Sequence, residues 1–154
     1  MTYGNPWQSY QQVATRTAPP GQLVLMLYDG SIRFLNASLS GFEREDPLEF
    51  HQTISNNLIR AQEIINELDL SLNMEAGGQF AETLRGLYQY FDRLLQESNI
   101  RKEQGGIVEV LQRITVLRNA WAEMLSKTSD SALASPIHPG APPAESLPSL
   151  EAHG

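Results

Sequence analysis

Histidine is the side chain whose ordinary pKa lies nearest neutral pH, so proton-moving and metal-binding chemistry is sought there first. The chain has three: His51, His138 and His153. The last two fall near the C-terminus, far from any apolar stretch. His51 stands two residues after Glu49. A di-iron bundle needs Glu-x-x-His, which brings both ligands to one helix face, whereas a spacing of two makes them diverge. There is no His-Glu-x-x-His zinc motif and no glycine-rich phosphate loop. None of the serines sits in a Gly-x-Ser-x-Gly elbow. With no cysteine at all, thiolate chemistry and disulfides are excluded. Ser31 and Arg118 are the clear polar intrusions on otherwise apolar stripes. No cofactor or metal site is expected, and an enzyme is not, because activity must be argued from a site.

The elements that would have to position any site are better defined than the chemistry. The 154 residues suffice for one domain with an ordinary apolar share. The net charge is −7, and the only adjacent basic pair is Arg101-Lys102. Nucleic acid and anionic membranes are attracted by clustered Lys and Arg, so neither is an expected partner. The N-terminus, MTYGNPWQSYQQ, has no basic start followed by an apolar run, and is not read as a secretory signal.

The organising stretch is Leu23 to Leu35, LVLMLYDGSIRFL. Its apolar run is far below the roughly 20 residues needed to span a bilayer. At about 100° per residue, Val24, Leu27, Tyr28, Ser31 and Leu35 share one helix face, and Met26 falls about 200° from Val24. This first helix is expected from about Pro19 to Ser40, with Thr17 as N-cap and Gly41 as terminator. A second helix starts at Asp46-Pro47-Leu48-Glu49, a capping-box arrangement. It carries Phe50, Ile54, Leu58, Ala61, Ile65 and Leu68, with Ile59 about 140° off the stripe. A link from Ser71 to Gly78, containing Gly77-Gly78, leads to a third helix ending near Asn99. Its stripe is Phe80, Leu84, Leu87, Phe91, Leu94 and Leu95, with Tyr88 beside it. A fourth helix starts between Glu103 and Ile107. It carries Ile107, Val110, Leu111, Ile114, Leu117, Trp121 and Leu125, with Val116 about 180° from Ile107.

Four amphipathic helices on short connections predict an all-α, antiparallel up-down four-helix bundle over residues 19–127. Residues 1–18 form an N-terminal strap carrying Trp7, Tyr10 and Val13. Residues 128–154 contain five of the nine prolines and no Lys or Arg, and are expected to be a disordered Pro-, Ser- and Ala-rich tail. The stripes leave Met26, Ile59 and Val116 over, and surplus apolar surface is what a partner site requires.

Four stretches carry a resemblance. They are LVLMLYDGSIRFL at 23–35, Ile59-Arg60-Ala61-Gln62-Glu63-Ile64-Ile65-Asn66-Glu67-Leu68, Gly77-Gly78 followed by Leu84, Leu87, Tyr88 and Tyr90, and Leu117-Arg118-Asn119-Ala120-Trp121 with Glu123 beyond. Together with Tyr10, Val13, Thr15 and Pro20 at the N-terminus, they resemble the flagellar export chaperone family FliS, over residues 10 to about 126. The C-terminal tail and Gly105-Gly106 depart from the family pattern. The resemblance implies a chaperone of the bacterial cytosol. It implies binding of the disordered C-terminal region of flagellin, prevention of premature polymerisation, and delivery to a component of the flagellar type III export gate. It also marks Tyr10 for handling by that gate. With the residues themselves, it makes Trp7, Tyr10, Val13, Met26, Ile59 and Val116 the partner-binding candidates. Trp7, Tyr10 and Val13 would cover a client groove until loading displaces them. Two other readings stay open: a homodimer or larger oligomer built on the surplus apolar residues, and an adaptor holding another flagellar client such as an anti-sigma factor.

Overall fold

The computed structural model describes residues 20–134, with side chains from 20 to 128. The expected strap, with Trp7, Tyr10 and Val13, the Thr17 cap and the Pro-rich segment from 135 onward lie outside the described residues. Four helices fill the described chain: α1 (Pro20–Gly41), α2 (Pro47–Leu70), α3 (Met74–Arg101) and α4 (Gly105–Ala134). Their connections, residues 42–46, 71–73 and 102–104, are too short for anything but antiparallel neighbours. Each helix packs on the next and α4 closes on α1, which is the ring of an up-down-up-down bundle.

Local chemistry sets the helix ends. Asp46 accepts the Glu49 N–H at 3.0 Å, with Pro47 in the first turn. Such a cap contributes about 1 kcal/mol. At the end of α1, a Cβ on Gly41 would meet Thr53 Cγ2 at 2.9 Å and Ile54 Cγ1 at 3.0 Å. Glycine therefore lets α2 begin directly against α1. Lys102 closes α3 in the left-handed region, φ 54°, and its Nζ donates to Asn99 O (2.7 Å) and Oδ1 (2.6 Å). A cation is stabilised at the negative end of the helix.

Four details depart from the sequence reading. α3 starts at Met74, inside the expected link, because Asn73 accepts the N–H groups of Glu75 and Ala76. The Gly77-Gly78 break is present but internal: Gly78 has φ 53° and ψ −133°, and the helix resumes beyond it. Phe80, expected on the α3 stripe, is 45% exposed, and the next residue, Ala81, takes the buried place in the first turn after the break. Finally, α4 runs past residue 127 to Ala134, so the helical part ends later than the expected boundary at 127/128.

The core is continuous. Leu35, Ile54, Leu58, Ala61, Ile64, Leu68, Phe91, Leu95, Ile107 and Ile114 are fully buried, each large side chain contributing about 1.5–3 kcal/mol. Buried polar side-chain atoms are all bonded among the described residues. Ser31 and Ser38 return to the carbonyls of Tyr28 and Leu35, at 2.8 and 2.7 Å. The Tyr28 and Tyr88 hydroxyls meet at 2.7 Å, joining α1 to α3 across the bundle diagonal. Trp121 Nε1 donates to the Gly21 carbonyl at 2.8 Å and fastens α4 to the first turn of α1. Both polar intrusions seen in the sequence thus have structural partners, since Arg118 Nε donates to Asp29 Oδ1 at 2.7 Å.

Candidate functional site

A closed core leaves the outside of the bundle as the place for function. Seven large apolar side chains stand exposed there among the described residues: Leu48, Ile59, Leu70, Phe80, Ile100, Val108 and Val116. Scattered exposed apolar residues are ordinary, so position decides which of them matter.

Ile59 and Val116 emerge where their helical angles put them, 46% and 67% exposed. Met26 is half-buried, and it is absent from the partly buried side chains that pack on the core. The three stand on three different helices, α2, α4 and α1. Ile59 lies between Ser55 and Gln62, both of which bridge to α3. Asn99 donates to Ser55 at 3.3 Å, and Gln62 donates to Asp92 at 3.0 Å and to Gln96 at 3.3 Å. Ile59 therefore flanks the α2–α3 seam. Val116 lies one turn from Arg113, whose guanidinium sits 5.9 Å from the Tyr90 ring of α3. Tyr90 donates to Glu109 at 2.7 Å, and Arg113 pairs with the same carboxylate at 3.1 Å. The bond to the carboxylate pushes the Tyr90 phenol above its ordinary pKa. Val116 thus flanks the α3–α4 seam, beside a polar clamp that closes it.

Two open hollows lie along α3, the first of them at its seam with α2. One, of about 390 Å³, is lined by Ile65, Asn66, Asp69, Tyr88, Gln89, Asp92 and Arg93. The other, of about 440 Å³, runs from Asp92 and Arg93 to Ile100 and Arg101. Their rims are polar but largely self-satisfied: Arg85 pairs with Asp69 at 3.1 Å and Gln62 reaches Asp92. Exposed ion pairs such as Glu123–Lys127 and Arg44–Glu49 contribute little individually. The surface therefore offers apolar contacts beside amide-rich seams and no concentrated charge.

Sequence reasoning missed Leu48, Leu70, Ile100 and Val108, which lie in the first or last turn of their helices. Periodicity is weakest there, because a stripe that runs out gives nothing to be out of phase with. Ile100 is nonetheless about 140° from Leu95, a signal of the kind that singled out Ile59. Among the described residues, no group of His, Asp and Glu side chains is placed to hold a metal. His51 is exposed and packs edge-on against Phe50 at 5.2 Å. No described helix is long and apolar enough to cross a membrane.

Comparison with known proteins gives this surface a context. The family model described as flagellar protein FliS matches residues 3–128. The flagellar secretion chaperone FliS of Bacillus subtilis (strain 168) is 34% identical over 125 residues, covering 81% of this chain and 90% of that protein. The protein of the same description from Salmonella typhimurium (strain LT2) is 32% identical over 127 residues, covering 79% and 91%. That of Campylobacter jejuni is 30% identical over 118 residues, covering 77% and 89%.

Proposed function

This chain belongs to the FliS family of flagellar secretion chaperones, and from that premise we propose that it holds the C-terminal region of flagellin in the bacterial cytosol and delivers it to the flagellar export gate. A chaperone role in flagellar export and the absence of an enzymatic one follow from the family itself. The client, the gate contact and the compartment are the proposal.

The observation that carries it is the combination of a core whose buried polar side chains are all bonded with apolar side chains left outside, two of them beside the seams. Ile59, Val116 and the half-buried Met26 do not contribute to a closed interior. A client segment that folds on binding can lay short helical or extended pieces over such positions in turn. Three separated footholds suit a partner that wraps better than one that docks on a single face. Ordering such a segment costs several kcal/mol, so the complex stays reversible, as delivery requires.

Trp7, Tyr10 and Val13 complete the proposal. In the empty chaperone these residues cover part of the apolar exterior, and the client displaces them. Tyr10, once displaced, is free for the export gate. Deleting residues 1–16 is expected to tighten flagellin binding or raise binding of an apolar dye, and no change in either would remove this step. For the function as a whole, the full chain is mixed with flagellin under filament-forming conditions and followed by light scattering. Suppressed growth with a one-to-one complex on gel filtration is expected. Unhindered growth beside a free, monomeric chaperone would reject flagellin as client.

A further inference from the structure

The outward face of α2 carries little charge for a helix face in water. Leu48, Ile59 and Leu70, all exposed, stand eleven residues apart. Eleven residues are three turns and about 20°, so the three form one nearly straight line, about 16.5 Å from each to the next. Gln52, Asn56, Glu63 and Asn66, also exposed, fill the line between them. One charge in seven positions is well below the roughly 25–35% of a surface built to stay solvated. That one charge, Glu63, pairs with Arg60 of the same helix at 3.6 Å. Apolar side chains with charge depleted around them are the composition of a protein interface.

The line also reads nearly alike in both directions. Leu48 and Leu70 lie eleven residues either side of Ile59, and the amides Gln52 and Asn66 lie seven residues either side. A two-fold axis at Ile59, perpendicular to α2, lays a second copy antiparallel, so that each residue comes level with the one equally far beyond Ile59. Leu48 of one copy then meets Leu70 of the other, and the two Ile59 side chains meet on the axis. Gln52 meets Asn66, and each amide has both donors and an acceptor to offer. Glu63 comes level with Ser55 and not with another acid. Glu49 and Asp69 also come level, but they lie about 80° to opposite sides of Ile59. Each keeps its own arginine, Arg44 and Arg85. A client segment would have to bring apolar residues to these places, whereas a second copy carries them already.

We propose that the outward face of α2 is a homodimer face, pairing antiparallel with a second copy across a two-fold axis at Ile59. Ile100, 74% exposed, adds apolar surface on the α3 side, because its neighbour Asn99 reaches Ser55 across the seam. Met26 and Val116, on other helices, take no part. One face of one helix lies at the small end of specific interfaces, below about 1,200 Å². The pair therefore forms at high concentration and separates on dilution, which leaves Ile59 open in a dilute client titration. The dimer does not depend on which client the protein carries. Its consequence, that pairing shields Ile59 and loading splits the pair, rests on Ile59 being a client foothold.

Sedimentation equilibrium of the full chain, from micromolar to near-millimolar concentration, is expected to show a reversible monomer–dimer equilibrium. Ile59 is 46% exposed, so a charge there leaves the fold intact, which circular dichroism checks. Ile59→Lys and Ile59→Glu each bring like charges together on the axis, and each should weaken self-association by about tenfold or more. An equimolar mixture of the two should associate at least as well as the parent, because residue 59 meets only its own counterpart and opposite charges then face each other. Val116→Lys should leave the parent's self-association unchanged. A chain monomeric at every concentration would overturn the proposal and leave the face to a client helix alone. A dimer indifferent to both Ile59 variants, or a mixture no stronger than either variant by itself, would overturn it too. As a second measurement, the chain has no cysteine of its own, so Ile59→Cys should cross-link to its counterpart on mild oxidation much faster than Val116→Cys does. Equal rates would count against the two-fold axis at Ile59.

Discussion

Replacing Val116 with serine separates a surface that serves the bundle from one that serves a client. Valine and serine have similar helix propensities, so the backbone is not the variable. Val116 is 67% exposed, and only its remaining third is buried by the bundle. Loss of that contact should change stability by no more than about 0.5 kcal/mol, as for most surface positions. A client covering the exposed two-thirds would recover most of a valine's burial energy, about 1–2 kcal/mol. Affinity should therefore fall about 5- to 30-fold. The assay pairs a thermal melt with a calorimetric titration by a flagellin C-terminal peptide. Leu58→Ala is the control: that residue is 0% exposed, and a core cavity there should cost about 2–5 kcal/mol. Ile59→Ser should behave like Val116→Ser, and the two effects should add, because the sites flank different seams. If Val116→Ser lowered the melting temperature markedly and left affinity untouched, the division into core and client surface would be refuted.

Three further outcomes are expected. Trp121→Phe removes the indole bond to the Gly21 carbonyl and part of a buried side chain, and denaturant unfolding should show a loss of about 1–3 kcal/mol. Gly86 lies within α3, and a methyl group added there would meet nothing within 4 Å, so Gly86→Ala should raise stability by about 0.5–1 kcal/mol on melting. Burial pushes the phenols of Tyr28 and Tyr88 above the ordinary tyrosine value of about 10. Below that pH both folded and unfolded chains hold these protons and stability is unaffected. Above it the unfolded chain releases them first, so stability should fall with rising pH, and less steeply in Tyr28→Phe/Tyr88→Phe.

Features encoded within a few residues were legible before the structure. The start of α2 was written in Asp46-Pro47-Leu48-Glu49, and Ile54, Leu58, Ala61, Ile65 and Leu68 all reach the core. Off-stripe angles were enough to find Ile59 and Val116 on the outside. The start of α3 misled, because a glycine pair reads as a linker whether it ends a helix or only bends one. There, the Asn73 cap outweighed the break at Gly78. Phe80 shows the matching limit: periodicity supplies a direction, but a residue in the first turn after a break need not reach the core in that direction. Contacts between distant positions left no local trace. Tyr28 and Tyr88 are 60 residues apart, and Trp121 and Gly21 are 100 apart. Each looked like one more residue of its own stripe until the bundle brought the partners together.

The most direct test of flagellin binding on the outside of an intact bundle is calorimetric titration of the full chain with the C-terminal peptide of its own flagellin at several temperatures. One-to-one binding with a strongly negative heat-capacity change is expected, because a segment ordering on apolar footholds removes much apolar surface from water. Absence of binding heat at every temperature, with circular dichroism showing the helices intact, would contradict it.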